Sequence, residues 1–281
     1  MFEPKDVAEY YNTTQNHYEK WWDLRNSYSL HYGIWNKQTK TFRDAVVNTN
    51  RVLLELAGIK ESDRVLDAGC GVGGAAIFVH TNTKARVTGI TLSEKQVAFA
   101  SNLVKEKGID HQVDFQVMNY TQTSFPDQSF DVIWACESIS SANDKMMFIK
   151  EAARLLKKGG KLILSDCFIT DEKQQDKKEW IRKWGETWAV ENHISSQTFV
   201  NGLKKNDFEI KSNIDYTAAV TKSAKRMYVA SLLGMIPSET YNFFHPKVSR
   251  FAKSHYKSGY YQYRALQENL WKYNVILAEK K

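Results

Sequence analysis

Only 4 of the 281 residues are proline and only 3 are cysteine. With so little proline, no internal repeat and no low-complexity tract, the chain is not a linker-jointed or disordered protein. Cys70, Cys136 and Cys167 lie in apolar or glycine-rich runs, none at metal-ligand spacing, which excludes a disulfide framework and reads as buried thiols in a reducing compartment. No metal site is expected. Uninterrupted apolar runs never approach ~18 residues, and the opening MFEPKDVAEYYNTTQNHYEKWW lacks a hydrophobic core segment, so neither a membrane span nor a leader is expected. A cytoplasmic protein follows. The 39 basic and 32 acidic residues leave a formal charge of +7, with no block long enough for a nucleic-acid arm. Such a charge can steer the protein toward an anionic membrane surface, but no nucleic-acid partner and no obligate protein partner is expected.

Aromatic residues are plentiful: 8 Trp, 14 Tyr and 14 Phe exceed what a core of this size needs, so some should line a pocket. From Thr41 the positions Phe42, Ala45, Val46, Val52, Leu53 and Leu56 keep helical spacing, and Gly58 supplies the left-handed exit. Arg64 to Leu66 then reads as a strand, AAIFVHTN as a helix and ARVTGI as a second, fully buried strand. Ser93-Glu-Lys-Gln96 forms a capping box in which the Gln96 side chain reaches back, opening a helix that runs to Gly108. QVDFQVMN, FDVIWAC and KLILSDCFI are further strands, and NDKMMFIKEAARLLKKGG is a helix with a basic last turn and a glycine exit. Strands alternating with helices this regularly predict a mainly parallel sheet with helices on both faces. Later, Trp180, Trp184 and Trp188 share one helical stripe, a helix and strand follow to Tyr216, helical aromatic sequence fills 221–262, and WKYNVILAE is a last strand.

Val65-Leu-Asp-Ala-Gly-Cys-Gly-Val-Gly-Gly74 carries a Gly-x-Gly-x-x-Gly string, Gly69, Gly71 and Gly74, at a strand-to-helix turn. Glycines there let backbone amides approach any nucleotide. A dinucleotide would place its pyrophosphate beside Asp67 and be repelled, and it would want an acid at the end of the second strand, where Thr91 stands. S-adenosylmethionine has no phosphate and carries an ammonium and a sulfonium, so Asp67 favours it. The sequence Asp67-Ala-Gly69-Cys-Gly71-Val-Gly73 resembles the first motif of class I S-adenosylmethionine-dependent methyltransferases. Leu30-His-Tyr-Gly33 and Gly89-Ile-Thr-Leu-Ser-Glu-Lys-Gln96 are similar to elements of the sterol, tocopherol and cyclopropane-fatty-acid synthase group.

The resemblance implies a Rossmann-like α/β fold: a seven-stranded, mostly parallel sheet with a helical aromatic cap. It implies an N-terminal segment, 1–40, covering the cofactor, an α/β domain over 41–220 completed by a final strand in 263–281, and a cap over 221–262. S-adenosylmethionine would be held by Asp67, Gly69, Gly71 and Gly73, with Tyr11 and Tyr18 folded over the sulfonium. Thr91 and Gln96 replace the usual ribose acid, although Thr91 is equally a strand terminator. Asn119 and Tyr120 fall where the adenine contact lies, although Asn119 is also a natural turn residue.

Methyl transfer needs alignment and dryness more than functional groups. Leaving the fourth strand, Glu137 is the residue the sequence favours for catalysis; it can stabilise a cation, take a proton or hold a backbone amide. Where related enzymes carry a histidine four residues on, this chain has Ser141, which leaves His31 as the other candidate base or as a structural hydrogen-bonder. Tyr32, Ser141, Trp184 and Trp188 are expected in the substrate pocket, although a tryptophan stripe equally suits a core face. An aromatic pocket with one carboxylate suits C-methylation of a small hydrophobic isoprenoid or lipid-like acceptor. O- or N-methylation, cofactor sensing without turnover and a nicotinamide oxidoreductase are the alternatives.

Overall fold

The structure is a computed structural model that describes residues 2–21 and 28–281, with side chains for all of these except 15–21. Seven strands form one sheet: β1 (Arg64–Ala68), β2 (Arg86–Thr91), β3 (Val113–Val117), β4 (Phe130–Cys136), β5 (Leu156–Ile169), β6 (Phe208–Asp215) and β7 (Trp271–Lys280). Across the sheet they run β3-β2-β1-β4-β5-β7-β6. The first five are parallel, and β7 pairs antiparallel with both β5 and β6. Successive residues of a strand face opposite sides. Val65, Val132, Ile163 and Val275 therefore feed one core, and Leu66, Ile133, Leu162 and Ile276 the other. Because both faces are covered, these strands read as continuous apolar runs. Asp67 in β1 and Asp166 in β5, each 2% exposed, interrupt that pattern.

The helices around the sheet are α1 (Pro4–Trp21), α2 (Phe42–Ala57), α3 (Gly74–Thr83), α4 (Glu94–Glu106), α5 (Lys145–Leu155), α6 (Trp180–Trp188) and α7 (Ser196–Lys205). Thr41 and Asp44 form a reciprocal capping box on α2, and Gly58 closes it at φ 58°. Two expected helix ends differ. At α4 the Ser93 hydroxyl accepts from the Gln96 amide (3.2 Å), but the Gln96 side chain turns away to accept from the Thr91 hydroxyl (2.7 Å), so only half the box forms. At α5 the helix stops at Leu155, and Leu156-Lys-Lys-Gly-Gly160 begins β5, since Leu156 pairs with Phe130. The cysteines are free, Cys70 buried and the other two half-buried.

Between β6 and β7 lie α8 (Thr217–Phe244), α9 (Arg250–Ser254) and α10 (Ser258–Gln267). The first of these begins four residues before the expected boundary, and α10 extends beyond 262. Gly33 is clamped between α2 and α8: Ser223 Oγ accepts from its amide (3.1 Å) and donates to its carbonyl (2.9 Å). A Cβ there would lie 2.6 Å from Ala45 Cβ, so only glycine allows this approach. Helix α1 packs on α9 and on the start of α4. Tyr10 packs edge-on against Phe251 of α9, and Asn12 accepts from the Ser93 hydroxyl (2.6 Å).

Candidate active site

A cleft of about 790 Å3, its mouth included, opens at the carboxyl ends of β1 and β4. Here the chain reverses its direction of travel across the sheet, the place where open α/β sheets bind ligands. The glycine loop forms one wall. Gly69 holds φ 88° and a Cβ on it would meet Ser138 Cβ at 2.4 Å, so both its conformation and its surroundings require glycine. The Gly69 and Cys70 amides both donate to Ile90 O (2.9 Å each), which ties the loop to the end of β2. A Cβ on Gly71, at φ 53°, would meet Leu30 at 3.9 Å among the described residues, so its conformation and not its surroundings asks for glycine, and Gly73 caps α3 against Phe115. Ser138 completes the pinning, donating to Ala68 O and accepting from the Tyr120 hydroxyl, both at 2.6 Å.

Buried acids dominate the electrostatics. Burial pushes the Asp67 carboxyl up to about 7, partly opposed by the Ala76 amide, and its Oδ2 has no hydrogen-bond partner among the described residues. Burial raises Glu137 well above the carboxylate range, against donation from Tyr273 and the Tyr32 amide. Asp166 rises to about 6 for the same reason, despite its hydrogen bonds from the Ser140 and Cys167 amides. Lys145, itself lowered to about 8 by burial, is committed to the carbonyls of Ser140 (3.0 Å) and Glu191 (2.9 Å). An uncompensated carboxylate in an apolar wall is costly. A ligand with positive charge and no phosphate relieves that cost, and an onium-bearing nucleoside fits this donor set where a diphosphate does not.

Glu137 sits in the left-handed region at φ 49°, a strained setting for a side-chain residue, held by the hydrogen bond its backbone N–H donates to Ser165 O (2.8 Å). Its Oε1 accepts from the Tyr32 amide (2.6 Å) and from the Tyr273 hydroxyl (2.7 Å). Among the described residues both of these bonds fall on Oε1, not on Oε2. The carboxyl lines both the main cleft and a smaller adjoining chamber of about 360 Å3, its open mouth included, walled by Tyr10, Tyr11, Leu30, Ser141 and Trp188.

Most residues expected at the site converge there. Asp67, Gly69, Gly71, Thr91, Gln96, Tyr120, Tyr11, His31, Glu137 and Ser141 all line the main cleft. Four expectations need correction. Asn119 Oδ1 already accepts from the Thr121 amide (2.9 Å) and hydroxyl (2.8 Å), so its carbonyl closes a local turn instead of awaiting a ligand. Tyr32 is 1% exposed with its ring against Trp271 and Tyr273; its backbone amide, not its ring, reaches the site. Trp184 is core, packed on Trp271 and His193, whereas Trp188 is chamber wall. His31 Nδ1 donates to Tyr32 O (3.0 Å), and burial lowers the ring to about 4, so it is a neutral wall group at physiological pH and a poor proton acceptor. Tyr18 lies on α1 with its side chain outside the described residues.

Sequence reasoning missed Tyr273, which orients Glu137 from β7, and Asp166, which accepts from the Ser140 amide in the 3-10 turn Ile139–Ser141 and feels the charge of Lys145. Asp166 carried the same signal as Asp67, an acid inside an apolar strand. Tyr273 carried none.

Comparison with known proteins agrees with this geometry. The family described as mycolic acid cyclopropane synthetase matches residues 2–274. The 27-O-demethylrifamycin SV methyltransferase of Amycolatopsis mediterranei is 34% identical over 166 residues, 59% of this chain and 60% of that protein. Sterol 24-C-methyltransferase erg6 of Aspergillus fumigatus is 31% identical over 214 residues, 74% of this chain and 55% of its own length. The chain spans about half the length of the curated relatives it matches. A geranyl diphosphate methyltransferase solved with its substrate and sinefungin superposes with a TM-score of 0.80 at 20% identity, covering 99% of each chain, which is a likeness of fold. Matched almost end to end by one family, this chain belongs to the mycolic acid cyclopropane synthetase family.

Proposed function

We propose that the protein is an S-adenosylmethionine-dependent methyltransferase that methylates a carbon of a small hydrophobic acceptor, of isoprenoid or lipid-like class. One observation carries the reading: Asp67 is buried in the cleft with a carboxylate oxygen that, among the described residues, has no hydrogen-bond partner and no cation shifting it. Asp67 takes the ammonium of the cofactor, the glycine loop lets the backbone close on it, and Thr91 with Gln96 offers neutral partners to the ribose. Tyr120 lies where the adenine is held, and Tyr11 closes over the sulfonium from α1. When bound, the cofactor supplies an electrophilic methyl group on sulfur.

The chain's own residues then align and shield. The acceptor sits in the chamber between Tyr10, Tyr11 and Trp188, whose ring faces stabilise positive charge developing on a methylated alkene or aromatic carbon. Glu137 is held through Oε1; in its ionised form, which a positively charged ligand in the cleft favours, it presents Oε2 to that cation and, its basicity raised by burial, takes the proton lost from it. In this reading residues 1–40 cover the cofactor, the sheet and its flanking helices hold it, and the helices between Thr217 and Gln267 cap the acceptor side. Incubation with methyl-labelled cofactor and a cell lipid extract, followed by mass identification, tests the proposal: label on an apolar product carbon is expected, and no labelled product in any fraction opposes it. Calorimetry should register the cofactor and its demethylated product, and no NADH.

A second reading, transfer to oxygen or nitrogen, draws on Ser141 and the weakly basic His31, which suit an acceptor that is already nucleophilic and needs no base. The methylated atom of the product separates the two.

A further inference from the structure

Helix α8 leaves the body of the protein with one face uncovered. Leu233, Ile236, Phe243 and Phe244 are 69%, 75%, 80% and 71% exposed, and Val229 and Leu232 continue the same stripe toward the helix start. Spacings of three, four and seven residues place all six on one side of the helix. Single exposed apolar residues are ordinary, but a stripe running half the length of a 28-residue helix is not.

Charge is gathered at the same place. Between 221 and 257 there are seven Lys or Arg residues and one acid, Glu239, a net +6 out of +7 for the whole chain. The apparent scatter of charge along the sequence thus hides a local excess. Lys222, Lys225 and Arg226 precede the apolar residues on the same helical face, with Lys222 over the Trp35 ring (3.6 Å) and Arg226 over Phe42 (4.8 Å). Exposed Lys247 follows the stripe. Glu239 lies beside Lys257 (3.1 Å), and Asp6 of α1 takes Arg250 (3.0 Å). A second copy docked symmetrically on this face would bring two such positive segments together.

We infer that α8 is a docking face for an anionic lipid bilayer, lying in the interface with its apolar stripe among the acyl chains and its lysines and arginines at the headgroups. Apolar burial and headgroup attraction reinforce each other in such helices. No helix among the described residues is long and apolar enough to cross a membrane, so attachment is at the surface. The inference goes beyond methyl transfer and is read without turnover.

Co-sedimentation of the full chain with unilamellar vesicles tests it, using phosphatidylcholine alone and phosphatidylcholine with about 30 mol% phosphatidylglycerol, an anionic surface that attracts polybasic segments. Wild type should pellet with the anionic vesicles and release as salt is raised, because headgroup attraction is screened. The double variant Ile236→Glu, Phe243→Glu should lose about tenfold or more of the partition coefficient, its melting temperature unchanged because both positions are exposed. Three results would overturn the proposal: no sedimentation of wild type, equal sedimentation of the variant, or equal partition onto neutral and anionic vesicles. Light scattering supplies a fourth: a wild-type dimer that the double variant converts to monomer assigns the face to a second copy.

Discussion

Replacing Asp67 by Asn keeps the side chain's shape and removes its charge. In the cofactor-free protein the carboxyl is raised from 3.8 to about 7 by burial. At 1.36 kcal/mol per pH unit, that shift makes the ionised group cost about 4 kcal/mol of folding free energy above pH 7. The sign follows from proton binding: between pH 4 and 7 the native state holds the extra proton, so this contribution is favourable in acid and lost as pH rises through 7. Leaving the new amide unpaired takes back about 1–2 kcal/mol, so Asp67→Asn should be more stable than wild type by about 2–3 kcal/mol at pH 8, a melting temperature higher by roughly 5–10 °C. Affinity should move the other way. Loss of a charge-assisted hydrogen bond of about 1.5–3 kcal/mol weakens S-adenosylmethionine binding roughly 10- to 150-fold. Wild-type affinity should climb from pH 6 to 8 as the carboxyl ionises, with proton release on binding, and the variant should lose that slope. Scanning fluorimetry without ligand and calorimetry in buffers of different ionisation enthalpy measure both. A variant that melts below wild type at pH 8 and binds the cofactor as tightly would refute the account of an uncompensated buried acid.

Glu137→Gln should leave cofactor affinity within about twofold while lowering turnover roughly 100-fold, the scale of a lost general acid-base group, measured as label transferred to the lipid product. Trp188→Ala enlarges the chamber beside Glu137 and should raise the acceptor KM about tenfold with cofactor affinity unchanged, seen in steady-state kinetics. Gly33→Ala forces a Cβ to 2.6 Å from Ala45 and should destabilise by about 1–3 kcal/mol, a drop in melting temperature of several degrees. On the acid side, His31 is held at about 4, so the unfolded chain takes up the proton first and stability falls as pH drops from 6.5 to 4, by about 3 kcal/mol from this group. His31→Gln should flatten that limb in denaturant titrations at successive pH values.

The parallel half of the sheet was legible because its signals are local. Strands buried on both faces read as apolar runs, glycine and capping residues punctuate the helices, and an acid beside a glycine turn shows which charge the turn receives. Element ends were less legible, since they rest on competition between partners: Gln96 had a choice of Ser93 or Thr91, and Lys157 to Gly160 had a choice of helix exit or strand. Asn119 likewise satisfied its own turn.

Chain order alone determined a glycine-lined crevice with Asp67 at its base and an aromatic-rich segment to cover it, because strand alternation and turn chemistry act over a few residues. Folding decided which groups share that crevice: Tyr273 reaches Glu137 across 136 residues, Trp184 sinks into the core while Trp188 stays on the wall, and six apolar side chains of one helix end up exposed. Such outcomes depend on which surfaces meet when the sheet closes on its helices, a geometry that no local pattern encodes.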